Sequence, residues 1–247
     1  MTKRSRPYLQ QATFRPGAEI DLDAYPFNIP GVRDIEKIHF HENVTFLVGE
    51  NGSGKSTILE ALALSLGLGP EGGTRNVQFQ TAETVSPLYD VLRLIRGVPK
   101  PKDSYFLRAE SFYNVATYMD DVGYLRSYGD KSLHKQSHGE SFMAVLLHKL
   151  RGNGIYLFDE PEAALSPSRQ LAALCAIHNL VEDFSQLIIA THSPILLAYP
   201  NAKIVQLDGF GAREVALTET EHFAVTRDFL NNHQARIKEL LSDAADA

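Results

Sequence analysis

Gly49-Glu50-Asn51-Gly52-Ser53-Gly54-Lys55-Ser56 fits the spacing G-x-x-x-x-G-K-[ST]. Glycines at these positions let successive backbone N–H groups turn inward on a phosphate, and the N-terminus of a following helix adds its positive dipole end. In such a loop Lys55 reaches the β- and γ-phosphates of a nucleoside triphosphate. The Ser56 hydroxyl ligates Mg²⁺, with Thr57 directly behind it in the first helical turn. A second constellation completes the first. Ile155-Tyr156-Leu157-Phe158 is an apolar run that ends in Asp159-Glu160, and an open parallel sheet gathers its ligands at the C-terminal ends of its strands. There Asp159 would hold Mg²⁺ through water and Glu160 would polarise an attacking water as general base.

The elements that must position these groups are legible from punctuation. Val44 to Val48 is a β-rich run leading into the glycine loop, and Thr57 to Leu64 reads as a helix closed by Gly67, Gly69 and Pro70. Asn76 to Gln80 and Ser104 to Leu107 read as strands, Glu110 to Leu150 as mostly helical with a gap at 126–136. A helix near 168–181 and a strand over Gln186 to Ala190 follow, then another strand or two from Ile204 and a charged helix near 226–241. Apolar strands alternating with helices predict a largely parallel sheet covered on both faces. Ser137-His138-Gly139-Glu140 precedes the periodic run Phe142, Val145, Leu146, Leu150. Ser-x-x-Glu is a capping box, and a capped helix start containing glycine offers backbone donors to an anion.

Composition bounds the reading. The chain of 247 residues, with 44% hydrophobic and 22% charged residues, is an ordinary globular composition, which excludes collagen-like and wholly disordered chains. With 24 Lys+Arg against 30 Asp+Glu the net charge is −6, so nucleic acid or anionic lipid must meet a local basic patch. A single cysteine, Cys175, excludes an intrachain disulfide framework and a cysteine metal cluster. No run reaches the ~18 apolar residues of a membrane span, and no apolar stretch follows the basic start Met1 to Pro7. The expectation is a cytoplasmic protein.

The ordered set Gly49–Ser56, Ser137–Glu140, Ile155–Glu160 and Ile188-Ile189-Ala190-Thr191-His192-Ser193-Pro194 resembles an ATP-binding-cassette-type ATPase head. More narrowly it is similar to the stand-alone bacterial ATPases of the AAA-21 and AAA-15 type, relatives of the OLD, RecF and structural-maintenance-of-chromosomes heads. The resemblance implies an α/β P-loop NTPase: a mostly parallel central sheet, an antiparallel β-subdomain and a helical signature subdomain at about 108–150. It places one ATPase domain over 19–241, between a flexible arm at 1–18 and a disordered tail at 242–247. It implies ATP and Mg²⁺ as cofactors and a homodimer closed through two ATP molecules. Ser137 and Gly139, with Glu140 beside them, would contact ATP bound to the opposite protomer. His192 would be the switch histidine touching the γ-phosphate and the attacking water, and Ala164-Leu165-Ser166-Pro167 the dimer-contact loop. For the glutamine-loop position, Glu110 at the junction Leu107 to Ser111 is preferred to Gln78 and Gln80. Tyr25, Phe27 and Arg33 could stack on adenine or be core aromatics and a surface arginine.

Departures from transporter patterns are evident. His138 stands where transporters carry the first signature glycine, Glu140 where they carry glutamine, and Ser166 where they carry aspartate. Lys55 and Ser137 are 82 positions apart, too close for a long coiled-coil insertion. His39 and His41 share one strand face and could bind a metal, though a solvated edge explains them as well. Cys175, three residues from His178 on a helix, is expected to be packed, with no activating arrangement around it. Arg93, Arg96, Lys100 and Lys102 form a basic cluster that contacts nucleic-acid phosphates or is a solvated loop. The favoured function is an ATP-hydrolysing conformational switch acting on nucleic acid or a protein effector in repair or defence. The alternatives are the energy subunit of a membrane transporter and, less favoured, a small-molecule kinase, because Glu160 is placed to activate water.

Overall fold

The computed structural model describes residues 7–35, 37–74, 86–111 and 138–243. Ser137, Gln78, Gln80 and the strand expected at 76–80 lie outside them. Two sheets form. The larger contains β3 (Val44–Val48), β5 (Asp103–Arg108), β6 (Gly154–Asp159), β7 (Gln186–Ala190), β8 (Lys203–Asp208) and β9 (Gly211–Val215). Their spatial order is β5-β6-β7-β3-β8-β9, all parallel except the final hairpin strand β9. The smaller is antiparallel, in the order β2-β1-β4, from β1 (Leu9–Phe14), β2 (Lys37–His39) and β4 (Leu92–Arg96).

The uninterrupted apolar runs form central strands because each alternate side chain enters a different core. Val44, Phe46 and Val48 of β3, Tyr156 and Phe158 of β6, and Leu187 and Ile189 of β7 join one buried cluster. Leu47, Ile155, Leu157 and Ile188 join the other. Side chains of period two on a sheet buried on both faces require exactly such runs of Val, Ile, Leu and Phe. The second core is covered by α2 (Lys55–Ser65), through Ile58, Leu59 and Leu62. The first is covered by α4 (His138–Ala144), which continues as a π-helical turn over Val145–Lys149, and by α5 (Pro167–Glu182). Short helices α1 (Pro30–Arg33), α3 (Leu88–Val91) and α6 (Pro194–Leu197) lie at strand ends. The helix α7 (Glu221–Asp243) closes the described chain and breaks at Asn232 (φ −125°, ψ 20°).

Four expectations are corrected. The arm expected over 1–18 contains β1: Leu9 is fully buried, and its N–H donates to Gln186 Oε1 (2.8 Å) while Gln186 Nε2 donates back to its carbonyl (2.7 Å). Arg93 and Arg96 belong to β4 instead of a loop, and Arg96 donates to the Ser65 carbonyl at 2.8 Å. β2 ends at His39, so His41 does not share a strand face with it; His41 Nδ1 instead accepts the Asn43 N–H. Cys175 is exposed, because Ala173, Ala176, Ile177 and Leu180 form the inward stripe of α5. Among the described residues no group of three His, Cys, Asp or Glu side chains could hold a metal. No described helix is long and apolar enough to cross a membrane.

Candidate functional site

The site is assembled where β3, β6 and β7 end. β3 delivers residues 49–54 into α2, and Gly54 takes φ 97° as the residue before the helix. A Cβ there would lie 2.6 Å from Val32 Cγ2, so both the left-handed backbone and the packing of α1 demand glycine. Lys55 is nearly buried and folds back, its Nζ donating to the carbonyls of Gly49 (2.9 Å) and Glu50 (2.8 Å). Burial holds its ammonium below the usual lysine range, while the carboxylates of Glu160, Asp159 and Glu162 oppose that shift.

Ser56, one residue into α2, donates its hydroxyl to Asp159 Oδ1 at 2.9 Å, joining the glycine loop to the end of β6. The Asp159 side chain is 5% exposed and 3.5 Å from Arg108 Nε. Burial pushes its carboxyl up to about 6, against the pull of the Ser56 hydroxyl and Arg108. Arg108, at the end of β5, also bonds Glu60 of α2 at 3.0 Å and faces Glu110 at 3.7 Å. Glu110 is therefore at the rim: its side chain is 84% exposed, and its ion pair is with Arg108.

Glu160 follows in the left-handed region (φ 49°, ψ 52°), with its N–H donating to the Ala190 carbonyl of β7 at 3.0 Å. That sparsely populated backbone turns its carboxylate toward the end of β7, where Oε1 is 3.7 Å from His192 Nε2. The His192 N–H and the Thr191 hydroxyl both donate to Glu162, at 2.5 and 2.7 Å, which fixes the strand end carrying the histidine. Glu162 is nevertheless held above the usual carboxylate range by burial. Burial, the Lys55 ammonium and His222 depress His192 to about 4, so its ring is neutral at pH 7. His192 Nδ1 lies 2.8 Å from Nε2 of His222, in the first turn of α7.

The structure thus brings Lys55, Ser56, Asp159, Glu160 and His192 together. Gly139 and Glu140 have other neighbours: Glu140 is 3.4 Å from Arg169, and a Cβ on Gly139 would lie 2.8 Å from the Ala164 carbonyl. The Tyr25 hydroxyl is 3.4 Å from Thr57 Oγ1, and its ring is 60% exposed. Phe27 is buried edge-on against Phe14, and Arg33 is exposed. Sequence reasoning missed Arg108, Glu162 and His222. Glu162 stood two residues beyond the paired acids, whereas nothing local marked Arg108 or His222.

The residues suit Mg²⁺ and a triphosphate. A hydroxyl and a carboxylate at 2.9 Å are two hard oxygen donors of the kind Mg²⁺ takes. Two buried polar atoms without partners, Ser53 Oγ and His192 Nε2, lie on the loop and beside Glu160. A glycine loop between an apolar parallel strand and a helix, cross-linked to the acid at the end of β6, decides the architecture. It is an α/β P-loop NTPase fold.

Residues 27–110 match the AAA_23 family model, an AAA domain. No curated protein matches the chain. Among solved structures it is similar to an SMC head domain from Thermotoga maritima, at 14% identity over 85% of this chain and 98% of that one, TM-score 0.45. It is also similar to cbiO1 from Clostridium perfringens, part of the ABC transporter complex cbiONQ, at 17% identity over 83% and 90%, TM-score 0.45. A third is a bacterial ABC transporter cassette solved as a dimer, at 18% identity over 73% and 88%, TM-score 0.42.

Proposed function

We propose that this chain binds Mg²⁺-ATP and hydrolyses it as a nucleotide-sandwiched homodimer, a conformational switch of the stand-alone ABC-type kind. The observation that carries this reading is the alignment of Ser56–Asp159 at 2.9 Å with Glu160–His192 at 3.7 Å, across one strand end from the Lys55 ammonium. Lys55 exchanges the two loop carbonyls for β- and γ-phosphate oxygens, so its charge is used only when nucleotide is bound. Ser56 and Asp159 hold Mg²⁺, which when bound withdraws charge from the phosphate oxygens. Glu160 takes a proton from the attacking water, and the neutral His192 ring orients on the γ-phosphate. Ser137, Gly139 and Glu140 serve the opposite protomer's ATP. The exposed Arg93, Arg96, Lys100 and Lys102 support nucleic acid as the element acted on, in repair or defence.

Glu160→Gln tests the reading, because the amide keeps the shape and removes the base. The variant is expected to bind Mg²⁺-ATP, turn it over at least a hundredfold more slowly, and accumulate as a dimer in light scattering. Adding Ser137→Arg should return it to monomer. A Glu160→Gln protein that stays monomeric with ATP, or a double variant that dimerises equally well, overturns the trans-site mechanism.

A further inference from the structure

The contact between His192 and His222 is unused by the mechanism above, and its chemistry constrains the catalytic ring. A neutral imidazole carries one N–H, and the hydrogen bond made by one ring nitrogen decides what the other can do. Nδ1 of His192 and Nε2 of His222 are 2.8 Å apart, so one proton lies between them. If His192 supplied it, Nε2 of His192 would carry a bare lone pair 3.7 Å from the Glu160 carboxylate, lone pair against lone pair. If His222 supplies it, Nε2 of His192 carries the proton and faces that carboxylate as a donor. The second arrangement sets an N–H toward the carboxylate in place of a lone pair and leaves the buried, unpartnered Nε2 as the hydrogen-bond donor that an anionic γ-phosphate requires.

The groups facing this ring are known from each packed element: Lys55 from α2, Glu160 after β6, Glu162 in the following turn, and His222 from α7. Only His222 reaches Nδ1 among the described residues. It comes from a helix outside the sheet, and its side chain lines the same opening as Glu50, Asn51 and His192, about 410 Å³ in volume. The two rings are 4.6 Å apart at 48°, too oblique for stacking alone to hold them.

We propose that His222 is a positioning residue for the hydrolysis: its Nε2–H donates to His192 Nδ1, which fixes His192 as the Nε2–H tautomer and aims that proton at the γ-phosphate site. The inference rests on the proposed ATP hydrolysis for its purpose, but the tautomer exists without nucleotide and can be read without it. Long-range ¹H–¹⁵N NMR on the nucleotide-free full chain, with His192→Gln identifying the signal, should show Nε2 protonated and Nδ1 bare. His222→Glu, which presents only an acceptor, should reverse the pattern. Protonated Nδ1 in the parent, or an unchanged pattern in His222→Glu, overturns the proposal.

Kinetics supply the second arm. A lost hydrogen bond to a charged group corresponds to roughly ten- to a hundredfold in rate. His222→Ala should lower kcat about tenfold and His222→Glu about a hundredfold, each with ATP Kd within about threefold of the parent. His222→Gln, whose amide N–H can donate to Nδ1, should recover most of the loss. Equal kcat in the Ala, Glu and Gln variants overturns the role. A parent that binds but never hydrolyses ATP overturns the hydrolysis reading instead, and leaves the tautomer to be decided by the spectra.

Discussion

Replacing Asp159 with Asn should make the empty protein more stable while removing its affinity for Mg²⁺. The carboxyl is raised from 3.8 to about 6, first by burial and further by Glu160 and Glu110, against the Ser56 hydroxyl and Arg108. That shift of about two units corresponds to about 3 kcal/mol that folding spends to keep a charge in place at neutral pH. The sign follows from the raised value: the protonated side chain carries no penalty below pH 3.8, and the penalty grows to its full size as pH rises through 6. Asn keeps the oxygen that accepts from Ser56 but sets an amide donor near Arg108 Nε, 3.5 Å away, which costs about 1 kcal/mol. The net expectation is a gain of about 2 kcal/mol at pH 8 and a loss of about half a kcal/mol at pH 4, where part of the charge penalty is already present. Urea unfolding with chelator present, at both pH values, measures it. An Asn variant no more stable than the parent at pH 8, or a difference equal at the two pH values, refutes the buried-charge argument. Adding Mg²⁺-ATP should then reverse the order at pH 8, since only the parent gains binding energy from the ligand.

Lys55→Ala should abolish ATP binding, because the loop loses its side-chain cation; a calorimetric Kd within about threefold of the parent would sink the phosphate-loop assignment. Changing Arg93, Arg96, Lys100 and Lys102 together to Ser should weaken ATP-dependent DNA or RNA binding and flatten its salt dependence, since each neutralised phosphate releases counterions. An unchanged gel-shift affinity returns the cluster to a solvated surface.

The parts of the fold that were legible carry their information locally. β3 and β6 announce themselves as apolar runs ended by glycine or acids, and β7 as an apolar run ended by Thr191-His192, because a strand buried on both faces has no polar alternation to obscure it. The six-residue strand β1, LQQATF, lacks that signature. It is held by Gln186, 177 residues away, whose side-chain amide completes the backbone pairing of Leu9. The site divides in the same way. Lys55, Ser56, Asp159 and Glu160 belong to motifs whose spacing is their mechanism. Arg108 and His222 act across elements: each is an ordinary residue in its own segment, and only the packing of β5 and α7 against the strand ends gives it a charged or aromatic neighbour. Glu110 shows the reverse, a junction residue that the fold leaves at the rim.

The left-handed backbone of Glu160 bears on how such a protein drifts over generations. A side chain at φ 49° costs about 1 kcal/mol relative to glycine. Glu and Gly codons differ by a single nucleotide, so one mutational step both relaxes the chain and deletes the proposed general base. Marginal stability rewards that step whenever hydrolysis is not under selection. Lineages that need only nucleotide-dependent association should therefore lose turnover at this position before they lose the phosphate loop, whose glycines serve the fold and the ligand together.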